Sequence, residues 1–187
     1  LDIPVFNYAK VGAEREAASR GNIEVIWRGP ESADQLRQKE ILEFVGRRFS
    51  LTFIDPTGWT GFALDKIAPI LQHRPGEVLI NYMTDYMNRF SDLPELAQQF
   101  NAMMGGPGFE GLDEIRKMEF YCERVREAGG FEHVTSTRIK KPESDRTYFH
   151  LIYGTRHVKG LQEFRQVEER EIAEQERVTI EARALDR

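Results

Sequence analysis

The chain has 187 residues, enough for one domain and too few for two of ordinary size. Hydrophobic residues at 40% and charged residues at 30% are globular proportions and exclude a disordered tail or a fibrous repeat. A net charge of −5 excludes a general nucleic-acid coat, and a single cysteine, Cys122, excludes a disulfide framework and a zinc site built from several thiolates. Apolar runs of five residues or fewer are too short for a membrane span. No charged-then-apolar leader opens the chain. The composition points to a cytoplasmic domain without a membrane partner.

Strands and helices alternate from the start. Ile3–Tyr8 is a short apolar run interrupted by Pro4, and Ala9–Arg20 is alanine- and charge-rich and reads as helix. Ile23–Arg28 is β-branched and aromatic, hence a strand. A helix is expected from Ser32 to about Arg48, with Leu36, Ile41, Phe44 and Val45 on one face. Leu51–Ile54 is a strand stopped by Asp55-Pro56. Gly61–His73 returns to helical spacing, and Pro75-Gly76 turns the chain into the strand Glu77–Met83.

Beyond this point the pattern changes. Asp92 and Glu95 have the spacing of a capping box, which predicts a short helix to about Ala102. The glycines of 105–111 make 91–111 an expected insert or lid. Leu112, Ile115, Met118, Cys122 and Val125 define an amphipathic helix ending at Gly129-Gly130. Phe131–Lys140 and Thr147–Tyr153, joined by the polar turn Lys141–Asp145, read as an antiparallel hairpin. From about Val158 the chain is helical through Leu161, Phe164 and Val167, and 168–187 forms its charged C-terminal part. The fold class is therefore α/β: a mostly parallel, Rossmann-like sheet with a C-terminal antiparallel hairpin strand and helices on both faces, in one domain over 1–187. A closing hairpin of this kind resembles the ending of class I methyltransferase domains.

The stretch most able to carry chemistry is Phe53-Ile54-Asp55-Pro56-Thr57-Gly58-Trp59. In a parallel sheet, the carboxyl ends of strands open onto the ligand crevice. Asp55 stands at such an end, Pro56 fixes the turn, Gly58 permits a sharp bend and Trp59 offers a stacking face. A carboxylate beside an aromatic plane suits a planar ring bearing an amino group. The competing reading makes Asp55 the cap of the next helix. Asn81 and Tyr82 follow the neighbouring strand, and with Asp55 and Trp59 they are expected to line one pocket. Thr84 and Asp85 border the same end, with Asp85 and Arg89 spaced as a surface pair. His73, His133, His150 and His157 have no metal-ligand spacing. Thr155-Arg156-His157-Val158-Lys159 is either a phosphate site or an ordinary helix start.

Three segments in order, FIDPTGW, VLINYMTDYMNRF and YFHLIYGTRHVKGLQEF, resemble the three-Cys-motif partner protein family over roughly Ile23 to Val167. The resemblance implies a class I methyltransferase-like fold and a partner protein carrying three cysteines. It also implies S-adenosylmethionine as cofactor, with Asp55 and Pro56 in the catalytic loop and Gly58, Trp59, Asn81 and Tyr82 on the substrate side. Such folds hold the cofactor on a glycine-rich loop after the first strand, and no such turn lies between Leu1 and Arg28. Either the first strand and its loop lie upstream of Leu1 or this protein has lost them; Ile3–Tyr8 is then the second strand, and Asn7 stands near the ribose-binding position or is a plain strand-end residue. Two functions follow: a methyltransferase acting on an amino group of a nucleobase or small molecule, or a methyltransferase-like binding module without catalysis.

Overall fold

Alternation along one strand organises the molecule. The computed structural model describes residues 39–56, 63–141, 144 and 146–185. Within it, β2 (Gly76–Tyr82) buries Val78, Ile80 and Tyr82 on one face, as a period of two requires. β1 (Ser50–Ile54) pairs parallel to β2 with Ile54 opposite Ile80. On the other side, β4 (Thr147–Thr155) runs antiparallel to β2 with Ile152 opposite Ile80. β3 (His133–Lys140) pairs antiparallel to β4 and lies outermost, so the order is β1-β2-β4-β3.

This is a mixed sheet of the α/β class, with one parallel pair and two antiparallel pairs. The second strand of the hairpin inserts between β2 and β3, so β2 and β3 point the same way without touching each other. The strand Ile23–Arg28, expected beside β1, lies outside the described residues.

Ile54, Ile80 and Ile152 form one row across three strands, each at most 6% exposed. Several helices cover that face. α1 (Lys39–Val45) precedes β1, and α2 (Leu64–Leu71) sends Leu64, Ile67, Ile70 and Leu71 into the core. α3 (Thr84–Phe90) follows β2 directly. A 3₁₀ turn (Pro94–Leu96) leads into α4 (Ala97–Met104). α5 (Glu114–Gly129) starts where Asp113 accepts a hydrogen bond from the Arg116 backbone N–H at 2.9 Å. It ends at Gly130, whose φ of 61° is the left-handed conformation that glycine adopts without strain. Tyr121 and Val125 of α5 complete the core. Deleting side-chain volume at a fully buried position such as Ile80 costs about 2–5 kcal/mol.

The opposite face is covered over β3 and β4 by α6 (Val158–Leu185), where Phe164 stacks on Tyr153 at 4.7 Å with 5° between the rings. Helices thus lie on both faces. Along 91–111, the segment expected as an insert or lid, Phe100, Met104 and Phe109 are fully buried in the core.

Asp92 is not the helix cap that its spacing with Glu95 suggests. Leu93 occupies the N-cap position, and Asp92 instead accepts a hydrogen bond from the Lys117 ammonium at 2.8 Å. Lys117 is 4% exposed and also reaches Ser91 Oγ at 2.8 Å, because a buried ammonium must be paired. No helix among the described residues is long and apolar enough to cross a membrane.

Candidate functional site

Register brings Asp55 and Asn81 together. Ile54 opposes Ile80, so the next residue of each parallel strand projects from the other face of the sheet at its carboxyl end. Asn81 Nδ2 donates to Asp55 Oδ1 at 2.7 Å. The Asp55 carboxylate fixes the amide orientation, since the reverse placement would set two acceptors against each other. Asn81 Oδ1 is then buried with no hydrogen-bond partner among the described residues.

Asp55 does not cap α2. The N-cap position there is Ala63, with no side-chain hydrogen bond. Pro56 follows Asp55 and is half-buried. Gly58 and Trp59 of the same loop, and Asn7, lie outside the described residues.

Tyr82 does not join this pair. As the strand neighbour of Asn81 it points to the opposite face, where it is 3% exposed and packs on Tyr121 with ring centroids 5.4 Å apart. Burial pushes its phenol far above the usual tyrosine range, with the charges of Tyr121, Cys122 and Glu114 adding to the rise. The Tyr82 and Tyr121 hydroxyls are both buried without a partner among the described residues. Alternation along Glu77–Met83 was the signal that separates Asn81 from Tyr82.

Around Tyr82 the structure assembles a group that spacing alone does not reveal. Thr84 Oγ1 lies 2.8 Å from His150 Nδ1, and both residues are buried. Burial lowers the His150 pKa; the Glu114 carboxylate opposes the shift and the Arg138 charge adds to it. Glu114 is held by Thr147 Oγ1 at 2.5 Å and Asn88 Nδ2 at 2.7 Å. Asp85 pairs with Lys141 at 2.5 Å and Arg89 at 3.4 Å, and the Lys141 hydrogen bond lowers its pKa against the smaller cost of burial.

Arg156 is committed to structure, which leaves it unable to hold phosphate. Its guanidinium donates to the carbonyls of Leu71, His73, Gly76, Gly129 and Gly130, and it stacks over Phe131 at 4.3 Å. The groups it satisfies are the loose carbonyls at the ends of α2 and α5 and the start of β2.

No group of His, Cys, Asp and Glu suited to a metal ion occurs among the described residues. Positive-φ glycines among them lie at helix ends or within 105–111, and none follows the carboxyl end of a strand. The described residues therefore do not form a glycine-rich cradle for S-adenosylmethionine. What they do form is a hydrogen-bonded carboxylate–amide pair at the adjacent carboxyl ends of β1 and β2. No family model, curated protein or solved structure matches the chain.

Proposed function

We propose that the carboxyl end of β1 and β2 is the acceptor half of a methyltransferase-like site that holds an amino group of a nucleobase or small molecule. The observation that carries this reading is the Asn81–Asp55 hydrogen bond, which holds an exposed carboxylate, an acceptor for the N–H of an amino group, at the adjacent carboxyl ends of β1 and β2. A strand order of β1-β2-β4-β3 with an inserted antiparallel strand supports a methyltransferase-type sheet, and the three segments similar to the three-Cys-motif partner protein family agree with it. S-adenosylmethionine, when bound, supplies the methyl group. This chain's own residues orient the acceptor: Asp55 aligns the N–H bonds, and Asn81 holds the carboxylate in place.

Ligand-observed NMR with adenine, cytosine and unsubstituted purine tests the reading. Adenine and cytosine should bind, purine should not, and Asp55→Ala should abolish binding while leaving the melting temperature unchanged. A less stable Asp55→Ala protein with undiminished adenine binding would mean that Asp55 is only structural, as would purine binding as well as adenine. Calorimetry with S-adenosylmethionine on the full-length gene product separates an enzyme from a binding module that serves a partner protein.

A further inference from the structure

The sheet face that carries Ile54, Ile80 and Ile152 carries a polar row beside them. Tyr82, His150 and Arg138 stand opposite one another on β2, β4 and β3. A cleft of 690 Å³ opens where this row meets α5, and its lining comes from α5 with its N-cap, β3 and β4 alone. The volume is within the range of small-molecule sites. Asp55 and Asn81 lie on the opposite face of the sheet, so the cleft is independent of them.

His150 is 4% exposed and borders the cleft. Thr84 Oγ1 spends its proton on the Tyr82 carbonyl at 3.3 Å, so it accepts from His150 Nδ1–H at 2.8 Å. This network assigns the tautomer and leaves Nε2 as an acceptor, without a hydrogen bond among the described residues. Burial lowers the pKa of the ring, so it stays neutral and Nε2 remains an acceptor at neutral pH. A buried acceptor without a partner, on the wall of a cleft, suits an N–H of a ligand.

The charges of the lining are of both signs, and they are kept apart. Asp113 pairs with Arg116 at 3.8 Å, and Glu114 is held by Thr147 and Asn88. Arg138 on the sheet wall and Glu119 on the helix wall have no side-chain hydrogen bond or ion pair among the described residues, with each other or with another group. Such a cleft favours neither a plain anion nor a plain cation. It favours a molecule that carries both charges. Ile115, 60% exposed, and Met118 add apolar surface to the helix wall, one turn apart. We propose that the cleft binds a zwitterionic small molecule, an α-amino acid with an apolar side chain. Arg138 takes the carboxylate in a forked pair. The ammonium donates to Glu119 and to His150 Nε2, and the side chain lies on Ile115 and Met118.

Leucine is the probe, added to the intact chain and followed by calorimetry and by the His150 ring signals in NMR. It should bind and shift those signals. Isocaproate, which lacks the ammonium, and isoamylamine, which lacks the carboxylate, should each bind about tenfold or more weakly than leucine. Arg138→Gln should weaken leucine by about tenfold and leave isoamylamine unchanged, and Glu119→Gln should weaken leucine as much and leave isocaproate unchanged. Both side chains are exposed, so the melting temperature should hold, and the comparison of the three ligands needs no variant. Overturning outcomes are no binding of leucine, either analogue binding as tightly as leucine, binding that leaves the His150 signals unmoved, or undiminished leucine binding in either variant.

Discussion

The Tyr153 hydroxyl donates to Glu77 across the β2–β4 pair at 2.6 Å, and Thr155 Oγ1 reaches the other Glu77 oxygen at 2.8 Å. The two bonds lock a carboxylate at the root of α6. Gly160, in the first turn of that helix, lies against the same three side chains. A Cβ there would come within 2.5 Å of Glu77 Oε1 and 2.7 Å of the Tyr153 hydroxyl.

Gly160→Ala is therefore expected to destabilise the protein by roughly 1–3 kcal/mol, despite the better helix propensity of alanine. Urea unfolding measures it. Glu77→Ala with Gly160→Ala should cost less than the two separate losses together, since the first change removes the nearest of the three atoms that the second would meet and frees the Tyr153 and Thr155 hydroxyls to move.

Arg156→Ala should leave several carbonyls without a donor and cost at least about 3 kcal/mol. Arg156→Lys should recover only part of this, because one ammonium cannot span carbonyls from two helix ends and a strand start. Chemical denaturation of both variants, with ellipticity as the signal, gives the two values. Equal stability of wild type and Arg156→Lys would mean that the forked geometry contributes nothing.

His150 predicts an acid-side loss of stability. Its folded pKa is lowered by burial, so the unfolded chain binds the proton more readily. Stability is full above the unfolded value of about 6.5 and falls as pH drops through it, levelling only below the folded pKa. Glu114 and Arg138 are the charged groups acting on the ring. Melting temperatures taken from neutral to mildly acidic pH should fall in the wild type more steeply than in His150→Gln. Parallel curves would assign the acid sensitivity to other groups.

The α/β class and the closing hairpin were legible because the polar turn after Lys140 separates two alternating runs. Which hairpin strand joins β2 was not legible, since alternation shows that a strand has a buried face and not which neighbour it takes. α3 escaped notice because Thr84–Phe90 spans only two turns and has no side-chain cap. Asp92 misled because its partner, Lys117, is 25 residues away in sequence and local spacing offered Glu95 instead. At the site, Asp55 and Asn81 were readable as the ends of two strands that proved to be adjacent. Tyr82 was drawn in by sequence proximity, although adjacent strand residues project to opposite faces.

Insertion of β4 between β2 and β3 has a consequence for the order of events in folding. Thr84 and His150, which meet across that junction, are 66 residues apart in sequence. The β3–β4 hairpin closes a short loop, whereas its docking onto β2 must close a long one, which is the slower step. During synthesis β1 and β2 leave the ribosome well before their covering strand exists. Until β4 arrives, the nascent chain presents an uncovered β2 edge, and that interval is when a chaperone has most to do.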